Sequence, residues 1–139
     1  MRRKNVVTVS AGRFVSAGKV VRGALEQALV FLGKRNVALE VNLVTRETLR
    51  ALNRDCRGVD RLTSVLSFRL GSTFPTPQLK GNFLGEIFLA PQCIQEKGED
   101  IVLLALHGLL HLLGYTHERK SDSIEMERRE KELTSHLHI

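Results

Sequence analysis

A chain of 139 residues with 42% hydrophobic content is long enough for one domain with a buried core, which excludes general disorder. With 5% aromatic residues and no Trp, recognition by stacked aromatic platforms is disfavoured, while a formal charge of +6 favours a polyanionic partner. Two cysteines, Cys56 and Cys93, without a CxxC neighbour exclude a disulfide scaffold and a thiolate zinc motif.

The opening Met1-Arg2-Arg3-Lys4 and Val6-Val7-Thr8-Val9 imitate a signal peptide, but Ser10, Gly12 and Arg13 interrupt the apolar stretch too soon. The β-branched run instead predicts a strand over Asn5–Ser10. From Val15 to Leu32, Val20, Val21, Leu25, Leu29 and Phe31 or Leu32 recur at helical spacing, with Ser16 as N-cap and Gly33 as stop. Val37–Val44 alternates apolar Val37, Leu39, Val41 and Leu43 with Glu40 and Asn42, the pattern of a half-buried strand. Thr45 caps a second helix running to about Cys56, with Leu49 and Leu52 inward, and Gly58 ends it.

Leu62–Leu70 and Phe83–Ala90 read as strands, separated by the loop chemistry of Gly71-Ser72-Thr73-Phe74-Pro75-Thr76-Pro77. Asp100 caps an apolar helix from Ile101 to about Leu113, closed by Gly114 and too short for the ~20 residues of a membrane span. A charged helix over about Ser121–Leu133, with Ile124, Met126 and Leu133 as its thin apolar stripe, completes the chain. The order β-α-β-α-β-β-α-α predicts an α+β, or mixed α/β, single domain over residues 1–139, with helices on a mixed sheet of about four strands. A cytoplasmic protein with no membrane partner is expected.

The charge is unevenly spread: residues 1–69 carry a balance of +9 and residues 70–139 one of −3. Arg46, Arg50, Arg54 and Arg57 follow one another at four, four and three residues, so they form one stripe on the second helix. That stripe is either a track for an RNA backbone or a solvated face balanced by Glu47 and Asp55. Arg57, just past a helix end, has the geometry to grip a phosphate bidentately.

The strongest chemical signal is His107-Gly108-Leu109-Leu110-His111-Leu112-Leu113-Gly114-Tyr115-Thr116-His117. Residues four apart share a helix face, so His107 and His111 can address one ion, and a turn at Gly114 can bring His117 back as a third ligand. Three neutral imidazoles leave a fourth position open, as in a catalytic zinc site, whereas structural sites close all four with protein ligands. The alternative is three histidines packed among leucines. The spacing is zincin-like, yet Gly108 stands where zincin proteases carry a general-base Glu, which argues against peptide hydrolysis and leaves phosphodiester chemistry open.

HGLLHLLGYTH, with Leu52-Asn53, Arg57-Gly58, Asp60, Thr63-Ser64-Val65-Leu66-Ser67-Phe68 and Leu84-Gly85-Glu86-Ile87 upstream, resembles the YbeY family of zinc-dependent endoribonucleases of rRNA maturation. The resemblance implies one Zn²⁺ on His107, His111 and His117, with Arg57 and His111 as catalytic candidates. It implies cleavage of single-stranded RNA in 16S rRNA 3′-end maturation and small-subunit quality control, with the ribosomal small subunit and its assembly proteins as partners and no DNA. A non-catalytic RNA-binding assembly factor with a stabilising zinc is the alternative, and a zinc peptidase the third choice. Thr116 stands where the family usually has Asp, Ser64 replaces an acidic or amide residue, Leu62 replaces Pro, and the link from Gly85-Glu86 to His107 is short. Of the remaining candidates, Glu86 can orient a ligand or water or lie as an edge-strand charge. Glu118 reads as solvated, Tyr115 as an anchor of the turn, and His136 and His138 as a solvated tail.

Overall fold

The computed structural model describes residues 4–61, 63–69, 82–116 and 118–138. Its elements are β1 (Val6–Ser10), α1 (Val15–Phe31), β2 (Val37–Leu43), α2 (Arg46–Arg57), β3 (Val65–Arg69), β4 (Asn82–Leu89), α3 (Pro91–Glu96), α4 (Ile101–Leu112) and α5 (Lys120–Leu137). One mixed sheet runs in the order β1-β2-β4-β3, with β1, β2 and β4 parallel and β3 antiparallel to β4. Leu62, Leu70 and the loop expected over 71–77 lie outside the described residues.

The alternation read in β2 is a physical division of the sheet. Val37, Leu39, Val41 and Leu43 are buried, and with Ile87 and Leu89 of β4 they pack into the core beneath α1, α4 and α5. Burial of such side chains, at roughly 1.5–3 kcal/mol each, is the main driving force for this layer. On the opposite face α2 and α3 cover a smaller cluster of Leu49, Leu66, Ala90 and Cys93. Helix caps follow local chemistry: Thr45 Oγ1 accepts from the Thr48 amide and Gly58 ends α2 in the left-handed region.

Tertiary packing corrects several expectations. The first helix has Phe14, not Ser16, at its cap position, without a side-chain cap bond. Val20 and Ile124 are 56% and 58% exposed, so the inward faces of α1 and α5 are carried by Val21, Leu25, Ala28 and Leu29, and by Met126 and Leu133. α3 is an element that the predicted order lacks: its six residues are too few to show a helical period, although Pro91 at its first turn supplies a start signal. α5 runs to Leu137, so His136, exposed as expected, belongs to the last turn of a helix and not to a tail, with its ring 4.4 Å from that of Phe31. No described helix is long and apolar enough to cross a membrane.

Candidate metal centre

α4 is held at both ends. Asp100 Oδ1 accepts from the amides of Val102 (2.8 Å) and Leu103 (3.2 Å). At the other end the Gly114 amide donates to the His111 carbonyl and the Tyr115 amide to the Leu110 carbonyl, both at 3.0 Å, with Gly114 at φ +104. That is a Schellman turn, which needs a residue without Cβ at this point. Ala105, Leu106, Leu109, Leu110 and Leu112 bury the helix against β3, β4 and α1, leaving His107 and His111 half-buried, one turn apart.

The two imidazoles meet with Nε2 atoms 3.1 Å apart. His107 Nδ1 lies 2.6 Å from Glu130 Oε1 of α5, and His111 Nδ1 lies 3.0 Å from the Tyr115 carbonyl oxygen. An ionised carboxylate and a carbonyl only accept, so each Nδ1 is placed as the donor, and in the tautomer with hydrogen on Nδ1 alone the two Nε2 lone pairs face each other. Two lone pairs at this distance are relieved by a proton on one of them or by a metal ion between them. Nitrogens each about 2.0–2.1 Å from a tetrahedral zinc lie about 3.4 Å apart, so the donors present fit such an ion. His117, the third expected ligand, lies outside the described residues, and among those residues no group of three metal-ligating side chains is assembled.

Gly108 has a steric role that its place in the motif hides. A Cβ there would stand 3.2–3.4 Å from the side-chain carbons of Ile87. Position 108 therefore faces the sheet, where an added side chain is accommodated only if Ile87 gives by a few tenths of an ångström. Thr116 replaces the family's usual acid, and its hydroxyl donates to Asp122 Oδ2 at 3.4 Å, joining the turn to the start of α5. The other departure, Ser64, is buried and donates to Glu99 Oε1 at 2.6 Å.

The arginine stripe is largely neutralised where it stands. Arg46 pairs with Glu47 and Glu96, Arg50 with Asp60 at 2.8 Å, and Arg54 with Asp55 at 3.0 Å. Exposed pairs of this kind are worth ~0–1 kcal/mol, so a polyanion can displace them. Arg57 ends α2, exposed, and among the described residues it has no ion-pair partner. Sequence reading missed Glu130, 23 positions from His107, because only the docking of α5 on α4 brings it there. It also missed Arg69, whose guanidinium lies 3.4–3.6 Å from where a Cβ of Gly114 would be.

Glu86 stands on β4, an inner strand between β2 and β3 and not an edge, and alternation from Ile87, which faces α4, turns it to the other side of the sheet. There it neighbours Glu40 across the β2–β4 ladder, so it does not orient a ligand of the histidine pair. Burial first, then the hydrogen bond and charge of Glu40, push its carboxyl above the usual range. A raised folded value means that the native state binds this proton more tightly than the unfolded chain. The resulting stability is complete below the unfolded value of ~4.3 and is lost as pH rises through the folded value. Glu86→Gln is expected to raise the melting temperature at pH ~7.5 by about 1–3 °C and to give little gain at pH ~4. Thermal unfolding at the two pH values checks this, and an equal gain at both would refute it.

The model of the endoribonuclease YbeY family matches residues 10–138. A relative of that name from Anaeromyxobacter sp. (strain Fw109-5) is 38% identical over 85% of this chain, and the chain spans 64% of that relative's length. One from Aquifex aeolicus is 35% identical, with 98% of this chain and 91% of the relative aligned. A solution structure of a Thermotoga maritima protein shares the fold, with a TM-score of 0.54 at 24% identity over 96% of this chain and 91% of that one. The chain belongs to the YbeY family.

Proposed function

We propose that this chain is a zinc-dependent endoribonuclease that cuts single-stranded RNA. Its place is the cytoplasmic maturation of 16S rRNA 3′ ends and small-subunit quality control, with the small subunit and its assembly proteins as partners. The observation that carries this reading is the pair of Nε2 lone pairs, His107 and His111, converging in a chain of the YbeY family. His107, His111 and His117 are the ligands. Bound zinc supplies a Lewis acid that polarises a phosphoryl oxygen and lowers the pKa of a bound water to about 7.

The chain's own residues select the bond. A peptide's amine leaving group needs a proton donor, and Gly108, packed on Ile87, has no carboxylate to supply it. RNA offers a further route, because its ribose 2′-OH is a neighbouring nucleophile that passes its proton to water, while the departing 5′ oxygen takes one from water as its charge is stabilised electrostatically. Arg57, unlike the three paired arginines before it, has no ion-pair partner among the described residues, and its planar fork suits two phosphoryl oxygens.

Arg57→Ala is expected to bind zinc as wild type does and to cleave a labelled single-stranded RNA about 10²–10³-fold more slowly, the usual cost of one electrostatic contact to the transition state. Metal analysis and single-turnover cleavage check this. Unchanged cleavage by Arg57→Ala removes that residue's role. Equal cleavage by chelator-stripped and zinc-loaded wild type overturns the metal-dependent reading itself.

A further inference from the structure

We infer that α5 positions the metal centre: Glu130 holds His107 in the Nδ1–H tautomer, and Arg129, through Tyr115, steadies the carbonyl that does the same for His111. The inference rests on the zinc reading above.

A neutral imidazole can carry its hydrogen on either nitrogen, and only the Nδ1–H form offers Nε2 to an ion. At this site the other form has an attraction of its own. With the Nε2 atoms 3.1 Å apart, an Nε2–H on His107 would donate directly to His111 Nε2 and occupy the space meant for a metal. Glu130 opposes that outcome. Its carboxylate, 2.6 Å from His107 Nδ1, accepts a charge-assisted hydrogen bond that exists only in the ligating tautomer.

The next residue on the helix acts on the second histidine. Arg129 Nε donates to the Tyr115 hydroxyl at 3.0 Å, and its Nη1 donates to Glu132 Oε2 at 3.2 Å, so the guanidinium is itself held. Tyr115 is thereby tied at its ring by α5 and at its amide by the Leu110 carbonyl, and its own carbonyl receives His111 Nδ1 at 3.0 Å. Two adjacent residues of one helix thus serve both imidazoles. Such partners beyond the ligands fix ring orientation, and their loss typically costs 10–100-fold in metal affinity. A cleft of about 260 Å³ reaches Glu130, so water can partly replace the carboxylate and the loss will not exceed that range.

The test uses the full chain, with zinc affinity measured by chelator competition and histidine tautomers by ¹⁵N NMR of metal-free protein at pH ~9, above the ordinary imidazole value of ~6.5. Glu130→Ala should bind zinc about 10–100-fold more weakly and show Nε2–H on His107. Glu130→Gln, whose amide oxygen still accepts from Nδ1–H, should keep the tautomer and lose less than about tenfold. Arg129→Met should lose a similar small factor, with only the His111 signals altered. If Glu130→Ala does not fold, Glu130→Asp, which withdraws the carboxylate by one methylene, bears the same two expectations as the alanine variant. Wild-type affinity with His107 still Nδ1–H in the alanine or aspartate variant would overturn the inference. Failure of wild type itself to take up zinc would defeat the zinc reading instead, while the metal-free spectrum would still decide whether Glu130 sets the tautomer.

Discussion

His111→Ala is expected to abolish stoichiometric zinc binding and to slow single-stranded RNA cleavage by about a thousandfold or more. The variant leaves His107 without the nitrogen 3.1 Å away that completes its pair, and two ligands one turn apart on α4 become one. Metal polarisation of a phosphoryl group is worth several kcal/mol in the transition state, and each ~1.4 kcal/mol is a factor of ten in rate. The fold should survive, because the imidazole is only half-buried and the leucines on the other faces of α4 are untouched. Metal content, circular dichroism and cleavage by freshly purified wild type and variant are the measurements. Equal cleavage by the two would identify a contaminating nuclease and leave the chain as a zinc-stabilised assembly factor.

Gly85→Ala is expected to destabilise the protein by about 3–5 kcal/mol. Gly85 sits at φ +140, just past the slip in the β2–β4 register that leaves Leu84 unmatched, and a Cβ there would lie 2.1 Å from the Phe68 carbonyl oxygen. The obstacle is backbone, so no side-chain rotation relieves it. β3 would have to separate from β4 at the end where Leu112 of the metal helix also comes within 3.0 Å of the added atom. Gly23→Ala in α1, where nothing lies within 4 Å of the new Cβ, is the control and should instead gain about 0.5–1 kcal/mol. Urea denaturation of the three proteins decides it. A Gly85→Ala midpoint equal to wild type would show that the β3–β4 ladder is not closed as described.

Much of the site was legible because its signals are local. Four residues is one helical turn, so His107 and His111 had to share a face once Asp100 and Gly114 bounded the helix. The caps at Thr45 and Gly58 and the alternation of β2 are likewise rules between near neighbours. The stripe of arginines was also visible, but its neutralisation was not, since Glu96 and Asp60 reach it from outside α2.

By itself, then, the sequence determined which of the longer segments are helix or strand, which residues could ligate, and, through motifs spread along the chain, the family. Tertiary structure alone decided which apolar residues are covered, as Val20 and Ile124 are not, and that position 108 packs against Ile87. It alone supplied Glu130 to His107, Glu99 to Ser64, and the face on which Glu86 lies. The physical reason is the range of the interaction. Backbone dihedrals and capping act over three or four residues and are written in short patterns. The partner that orients a ligand is chosen by how helices and strands distant in sequence dock, and no local pattern encodes that.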